Sequence, residues 1–258
     1  MWNTGITKVE PNKLVTRGYK QDELIGAVPF SHVVYMLFKG DLPDEKTGKL
    51  FDAMITASID HGPTPPSAQA ARIVCSGGVP LPTAVAAGLM AVGDYHGGAI
   101  ENAMKILYGL VDKKNKEGKS TEDMAKETVK EFREKKKRMP GLGHRIHTDD
   151  PRTKKLFLMA EQLGIASDHT AMLKAFKDEF ATVTGKNLPI NVDGAMAALA
   201  CDMGFDYRLG KALFLMGRIA GLVAHVHEEK TRERPMRKFD PDFQYDGPAE
   251  RPVPPHYK

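Results

Sequence analysis

The segment MPGLGHRIHTDDPRT, residues 139–153, sets His144, Arg145, His147, Asp149, Asp150 and Arg152 beside the glycines of PGLG. Glycine lets a ligand or a second backbone come close. Arginine forks grip carboxylates and phosphates, and imidazoles exchange protons near neutrality. Such a stretch suits a site that holds a multiply charged anion and moves a proton; a solvent loop is the plain alternative. Other breaks in the chain also carry reactive groups: DHGPTPPS with His61, GDYHGGAIENA with His96, and LPINVDGAMAA with Asp193. Helix ends expose unpaired backbone groups, and their N-termini favour anions. These breaks can therefore converge on one polar pocket. Each has a structural reading as well. His61 can cap the helix before it, His96 can be a buried, hydrogen-bonded histidine, and Asp193 can be the N-cap of a helix over 194–203. His144 fits a structural reading least, because its surroundings are too polar for a core turn.

Competing chemistries are weaker. PGLGHR lacks the third glycine of a dinucleotide fingerprint and follows a charged helical run rather than a strand. His225 and His227 are dense with the 144–150 cluster, yet i,i+2 positions of a helix face different ways, so no metal is expected. A net charge of +4, with only 7% aromatics, suits an anionic ligand better than nucleic acid. The cluster Lys135–Arg138 reads as a solvated helix end. Cys75 and Cys201 lie in apolar surroundings without a CxxC partner, which suits reduced, buried thiols in a cytoplasmic protein. No leader is visible at MWNTGITKVEPNK, and apolar runs such as AAGLMAV fall short of the ~20 residues of a membrane span.

The elements that must position these groups are helical. Residues 1–18 read as irregular or short-stranded. Helical periodicity then covers 31–38 (closed by Gly40), 44–60, 68–75, 83–92, 99–114, 121–138 with Thr121 as N-cap, 152–163, 169–182, 193–203 and 207–229. The proline-rich stretch from Asp240 reads as extended. The expected architecture is all-α: a large helical domain from 1–98 and 206–258, with a small helical lobe over 99–205 inserted.

With these residues placed, the chain resembles the citrate synthase superfamily, most of all short citryl-CoA lyases and the citrate-synthase-like module of ATP-citrate lyase. GYKQDELIGAVPFSHVVYMLFKGDLP, DHGP, GDYHGGA, PGLGHR…DPR, NVDG and GRIAGLVAHVHEE…ERPMR follow in the family's order from about Gly18 to Arg237. The resemblance implies roles. His96 would steady the enolate oxygen of an acetyl thioester. Asp193 would exchange the proton on its methyl carbon, and His144 would act at the carbon that is joined or released. His61 would bind substrate, and Arg152, Arg218 and Arg234 would hold its carboxylates, with Arg145 a further candidate. Arg234 would reach in from a second subunit, so a homodimer is implied. Pro140, Gly141, Leu142 and Gly143 would contact the adenine end of coenzyme A. Coenzyme A enters as a thioester substrate, with no bound cofactor and no metal.

Two departures bear on the activity. Most of the N-terminal helical region of full-length synthases is missing here, which points toward the lyase-like members. Position 96 is histidine, as in the synthases, where the ATP-citrate lyase module has an aromatic. The gap from His144 to Arg152 is also shorter by a residue than in many synthases. The expectation is a citryl-CoA lyase that releases acetyl-CoA and oxaloacetate, with a citryl-CoA synthetase as a possible partner. A compact citrate or 2-methylcitrate synthase is the runner-up, and a non-catalytic acyl-CoA-binding subunit the third reading.

Overall fold

The computed structural model describes residues 2–144, 148–237 and 246–252. The chain opens with an antiparallel ribbon of β1 (Thr7–Glu10), β2 (Lys13–Thr16) and β3 (Tyr19–Lys20). Thr7 pairs with Thr16 and Glu10 with Lys13; Thr16 then pairs with Tyr19. Helices follow: α1 (Gln21–Leu24), α2 (Phe30–Lys39), α3 (Glu45–Ala57), α4 (Pro66–Ser76), α5 (Leu81–Met90), α6 (Ala99–Glu117) and α7 (Thr121–Glu134). After the PGLG segment come α8 (Pro151–Leu163), α9 (Asp168–Thr184), α10 (Val192–Asp202) and α11 (Gly210–Arg232). The all-α expectation holds.

Boundaries moved for local reasons. The cap of α7 is Ser120, whose hydroxyl accepts the Asp123 N–H, and not Thr121. That helix ends at Glu134, short of the basic cluster, and Lys136 takes a positive φ of 52°. The expected helix over 207–229 is a 3-10 turn at Tyr207–Leu209 followed by α11. Most of the stretch from Asp240 lies outside the described residues.

α10 is the buried axis. Each residue from Ala195 to Ala200 is sealed from solvent, because the run AMAALA is small enough for neighbours to approach on every side. α6, α8 and α9 pack around it. Its last residue, Asp202, accepts the Ser167, His169 and Thr170 N–H groups and so closes the N-terminus of α9. The larger apolar cluster runs from Val34 and Leu50 through α6–α10 to Leu213 and Phe214. A smaller one joins α4, α5 and α11 through Ala71, Cys75, Ala84, Val85, Leu222 and Val226. Both cysteines are buried and free.

Residues Tyr207–Arg232 are long and apolar enough, by length and composition, to cross a membrane. The short apolar runs did not suggest this. Here the segment is a core helix: Leu213, Phe214, Gly217, Arg218, Leu222 and Val226 are buried against the rest of the chain.

Candidate active site

The site starts from three backbone devices. GDYHGG folds into a tight knot in which Gly93 and His96 exchange backbone hydrogen bonds at 3.0 and 2.8 Å, and Gly98 N–H reaches Gly93 O at 3.0 Å. Two of its glycines, Gly97 and Gly98, are required. A Cβ on Gly97, at φ +74°, would lie 2.6 Å from the Phe214 ring, and one on Gly98 would lie 2.4 Å from Gly93 O. The knot projects His96 toward α4. There, His96 Nε2 and Ser67 Oγ share a hydrogen bond of 2.7 Å. Ser67 is fully buried and receives a longer contact from Arg218 Nη1 at 3.5 Å. Arg218, 2% exposed, also donates through Nε to Ser58 O at 3.1 Å and lies over the Phe214 ring at 4.6 Å. Burial lowers its pKa, opposed by the charges of Asp60 and Asp193. A buried guanidinium still keeps its proton.

The second device joins PGLG to the segment before α10. Gly143 N–H donates to Pro189 O at 2.7 Å, and Asn191 N–H to Gly141 O at 3.0 Å. Asn191 Nδ2 adds a bond to Gly143 O at 2.7 Å. Gly141, at φ +86°, and Gly194 meet backbone to backbone. A Cβ on either would come within 2.4–2.5 Å of the other. This contact places His144, whose ring is 5.4 Å from that of His61.

The third device frees Asp193. The N-cap of α10 is Asn191, whose Oδ1 accepts the Gly194 N–H at 3.1 Å. Asp193 is therefore not the cap that its position suggested. It sits inside the first turn, and burial raises its pKa to about 6, against the pull of Arg152 and Arg218 and with a push from Asp150. A carboxyl with a pKa of about 6 can both give and take a proton close to neutrality.

Arg152 is aimed by Asp150. The Asp150 carboxylate, wholly buried, caps α8 through the Arg152 N–H and takes the Arg152 Nε and Nη2 donors at 3.0 and 2.8 Å. This leaves the remaining N–H groups of the fork for a ligand. His61 follows the end of α3, which Ser58 closes by donating its N–H and hydroxyl to Ile55 O at 3.2 and 2.9 Å. His61, His96, His144 and Asp193 are all half-buried, so each keeps a face toward solvent. Arg234 is exposed, beyond the end of α11. Arg145 lies outside the described residues.

Residues 43–238 match the family described as citrate synthase, C-terminal domain. The chain belongs to the citrate synthase family. The solved citryl-CoA lyase of Hydrogenobacter thermophilus superimposes with a TM-score of 0.92 at 43% identity, covering 100% of this chain and 99% of that one. The citrate synthase of Haloferax volcanii is 31% identical over 211 residues, 80% of this chain and 53% of its own length. ATP-citrate synthase beta chain protein 1 of Arabidopsis thaliana is 27% identical over 248 residues, 88% of this chain. The chain spans 37% of that plant protein's length.

Within this citrate synthase frame, motif reading missed three residues: Ser67, Asp150 as the partner of Arg152, and Asn191. Each is a common helix-start residue, and its significance lies in a contact the sequence does not display. A groove beside PGLG was missed as well. Leu142 and Gly143 form one side, with Phe132, Phe176 and Phe180 behind them and Arg133, Lys137, Arg138 and Lys186 at its rim. The basic cluster is solvent-exposed, as expected, but two of its residues line this groove. Aromatic faces ringed by cations suit a nucleotide with phosphates. Among the described residues, no group of His, Cys, Asp and Glu is arranged to hold a metal ion.

Proposed function

We propose that the protein is a citryl-CoA lyase that cleaves citryl-CoA to acetyl-CoA and oxaloacetate. Asp193 carries this reading: a carboxyl released from capping, raised to a pKa of about 6, and faced by two guanidiniums. In cleavage, a base near His144 takes the tertiary hydroxyl proton. The carbon–carbon bond then breaks, its electron pair forms the thioester enolate, and Asp193 delivers a proton to the enolate carbon. His96 donates a hydrogen bond to the enolate oxygen, where charge develops. Ser67 Oγ, shared with Arg218 Nη1, holds one ring nitrogen of His96 in place. His61, Arg152 and Arg218 hold the oxaloacetate carboxylates, and PGLG with its basic groove takes the nucleotide end of coenzyme A. The lobe over 99–205, which carries PGLG and Asp193, closes this part of the site.

Likeness along the whole chain to the Hydrogenobacter lyase supports cleavage as the direction. A compact citrate synthase is the second reading, favoured by histidine at position 96 and by the Haloferax relative. We further propose a homodimer in which Arg234 completes the partner's site. The apolar side chains of Ile73, Met90, Ile219 and Val223, exposed on α4, α5 and α11, support it.

Two assays separate the readings. Citryl-CoA is supplied in one, and oxaloacetate is followed through its NADH-dependent reduction by malate dehydrogenase. Acetyl-CoA and oxaloacetate are supplied in the other, and free coenzyme A is followed. Rapid oxaloacetate formation with negligible net coenzyme A release is expected of a lyase. Brisk coenzyme A release from the second pair makes the chain a synthase, and silence in both overturns the enzymatic reading.

A further inference from the structure

His225 was noticed in the sequence as a dense partner of His227 and has no role in the chemistry above. The structure gives it a contact. Along α11, Gly217, Gly221 and His225 recur at every fourth position and so share one face. The glycines open a groove in which the end of α3 and its following residues lie directly on the α11 backbone. A Cβ on Gly217 would sit 2.1 Å from Ser58 Oγ and 2.3 Å from Ile55 O, and one on Gly221 would sit 2.2 Å from Ile59 O. Where the glycines stop, His225 closes the groove: its Nε2 is 2.9 Å from Asp60 Oδ1. The other oxygen of Asp60 accepts the Gly62 N–H at 2.9 Å, and Gly62 holds the left-handed φ of +74° that such a turn requires. His61 is thus bracketed, with Asp60 tied to α11 before it and Gly62 fixed to the same carboxylate after it. Burial opposes the charge on Asp60, but the Gly62 N–H and His225 outweigh it and hold the carboxyl below its ordinary value.

We propose that His225 and Asp60 are positioning residues for His61, tying the turn that projects its ring toward His144 to the helix that carries Arg218. A substrate-binding histidine and arginine are then set by one rigid element, and a shift of α11 moves both together. The pair touches no reacting atom. The kinetic half of this claim rests on the proposed lyase activity; the geometric half does not.

The test uses the full-length protein with His225→Ala, His225→Gln and Asp60→Asn. The glutamine side chain of His225→Gln keeps an N–H donor for Asp60. The amide of Asp60→Asn keeps an oxygen for the Gly62 N–H and removes the charge that His225 faces. KM for citryl-CoA is expected to rise about tenfold in His225→Ala with kcat much less affected, and to return to within about twofold in His225→Gln. His61→Ala combined with His225→Ala is expected to be no worse than His61→Ala alone, because the distal change then has nothing left to position. Independent multiplication of the two defects, or a folded His225→Ala enzyme with unchanged KM, overturns the proposal. Spectra of 15N-histidine-labelled protein, with and without citrate, read the His61 ring without turnover. The ring signal is expected to move in His225→Ala, to move less in Asp60→Asn, and to return in His225→Gln. An inactive chain that shows this pattern sinks the lyase reading and keeps the positioning claim; an unmoved His61 signal sinks the claim whatever the activity.

Discussion

Asp193 illustrates how a single side chain acquires a function by losing an ordinary one. At the start of a helix, an aspartate normally accepts backbone N–H groups, which holds it ionised. Asn191 takes that duty here, so the carboxyl of Asp193 feels burial first and the arginines second, and its pKa climbs to about 6. The folded protein then holds the Asp193 proton more tightly than the unfolded chain, where the ordinary value is 3.8. No penalty exists below that ordinary value. It grows as pH rises toward 6 and is complete above it, at roughly 3 kcal/mol. Asp193→Asn is therefore expected to be inactive yet more stable than the parent at pH 8, with the difference vanishing by about pH 3. Denaturant titrations across that range check it, and a pH-independent difference would refute the assignment. The same proton is needed in cleavage, so kcat/KM for citryl-CoA is expected to fall as pH rises through about 6. Ser67 makes a second case. Ser67→Ala removes the hydroxyl that anchors the His96 ring and leaves Arg218 Nη1 without that oxygen, a loss of about 1–3 kcal/mol. A fall in kcat of ten- to a hundredfold is expected, with KM changed little. His96, His144, His61 and Asp193 were legible as residues because each interrupts a helical pattern at a glycine or proline. Ser67 was not. A serine after prolines reads as an ordinary helix start, and its partner His96 is 29 positions away.

At the level of elements, the site depends on backbone meeting backbone. PGLG and the segment before α10 are far apart in sequence, yet the Gly141–Gly194 contact leaves no room for a methyl group on either. Gly143 shares the left-handed conformation of Gly141, at φ +89°, but faces open space. The two glycines should therefore respond differently. Gly143→Ala is expected to cost only the conformational strain, about 1–2 kcal/mol. Gly141→Ala adds a clash with the Gly194 backbone and should lower stability and coenzyme A affinity well beyond that; thermal melts and calorimetric titrations compare them. Equal effects would mean that the close approach relaxes freely. Asn191→Asp keeps the helix cap and removes the donor to Gly143 O, so it should loosen the loop while sparing α10. Helix existence was readable along nearly the whole chain because the apolar spacing is regular. Helix starts were less so. Ser120 beside Thr121, and Asn191 beside Asp193, offer adjacent capping groups, and only the final backbone path selects one. The docking of the two glycine segments left no local trace at all, since glycine marks many turns for other reasons.

The whole molecule decides what becomes of Arg234. Glu229, buried at the end of α11, receives Arg72 Nε at 2.8 Å and Arg237 Nε and Nη2 at 2.7 and 2.9 Å. Met236 N–H donates to Ser76 O at 2.8 Å. The chain after α11 is thus strapped to α4, and Arg234 is left exposed. An exposed guanidinium can be offered to a neighbouring subunit, as the proposed homodimer requires. A single sequence shows no second chain, so the resemblance alone suggested this arrangement, and the exposure of Arg234 is compatible with it. The arrangement makes a sharp prediction. Arg234→Ala and Asp193→Asn should each be nearly inactive as pure proteins. In a mixed dimer, one site combines both lesions, while the other pairs an intact Asp193 with an intact Arg234 from the opposite chain. Co-expression of the two variants should therefore restore about a quarter of the parent's specific activity, the share of intact sites after random pairing of chains. If Arg234 served its own subunit, every site in the mixed dimer would carry one lesion. Activity would then stay at the level of the variants, even with mixed dimers isolated by two different affinity tags.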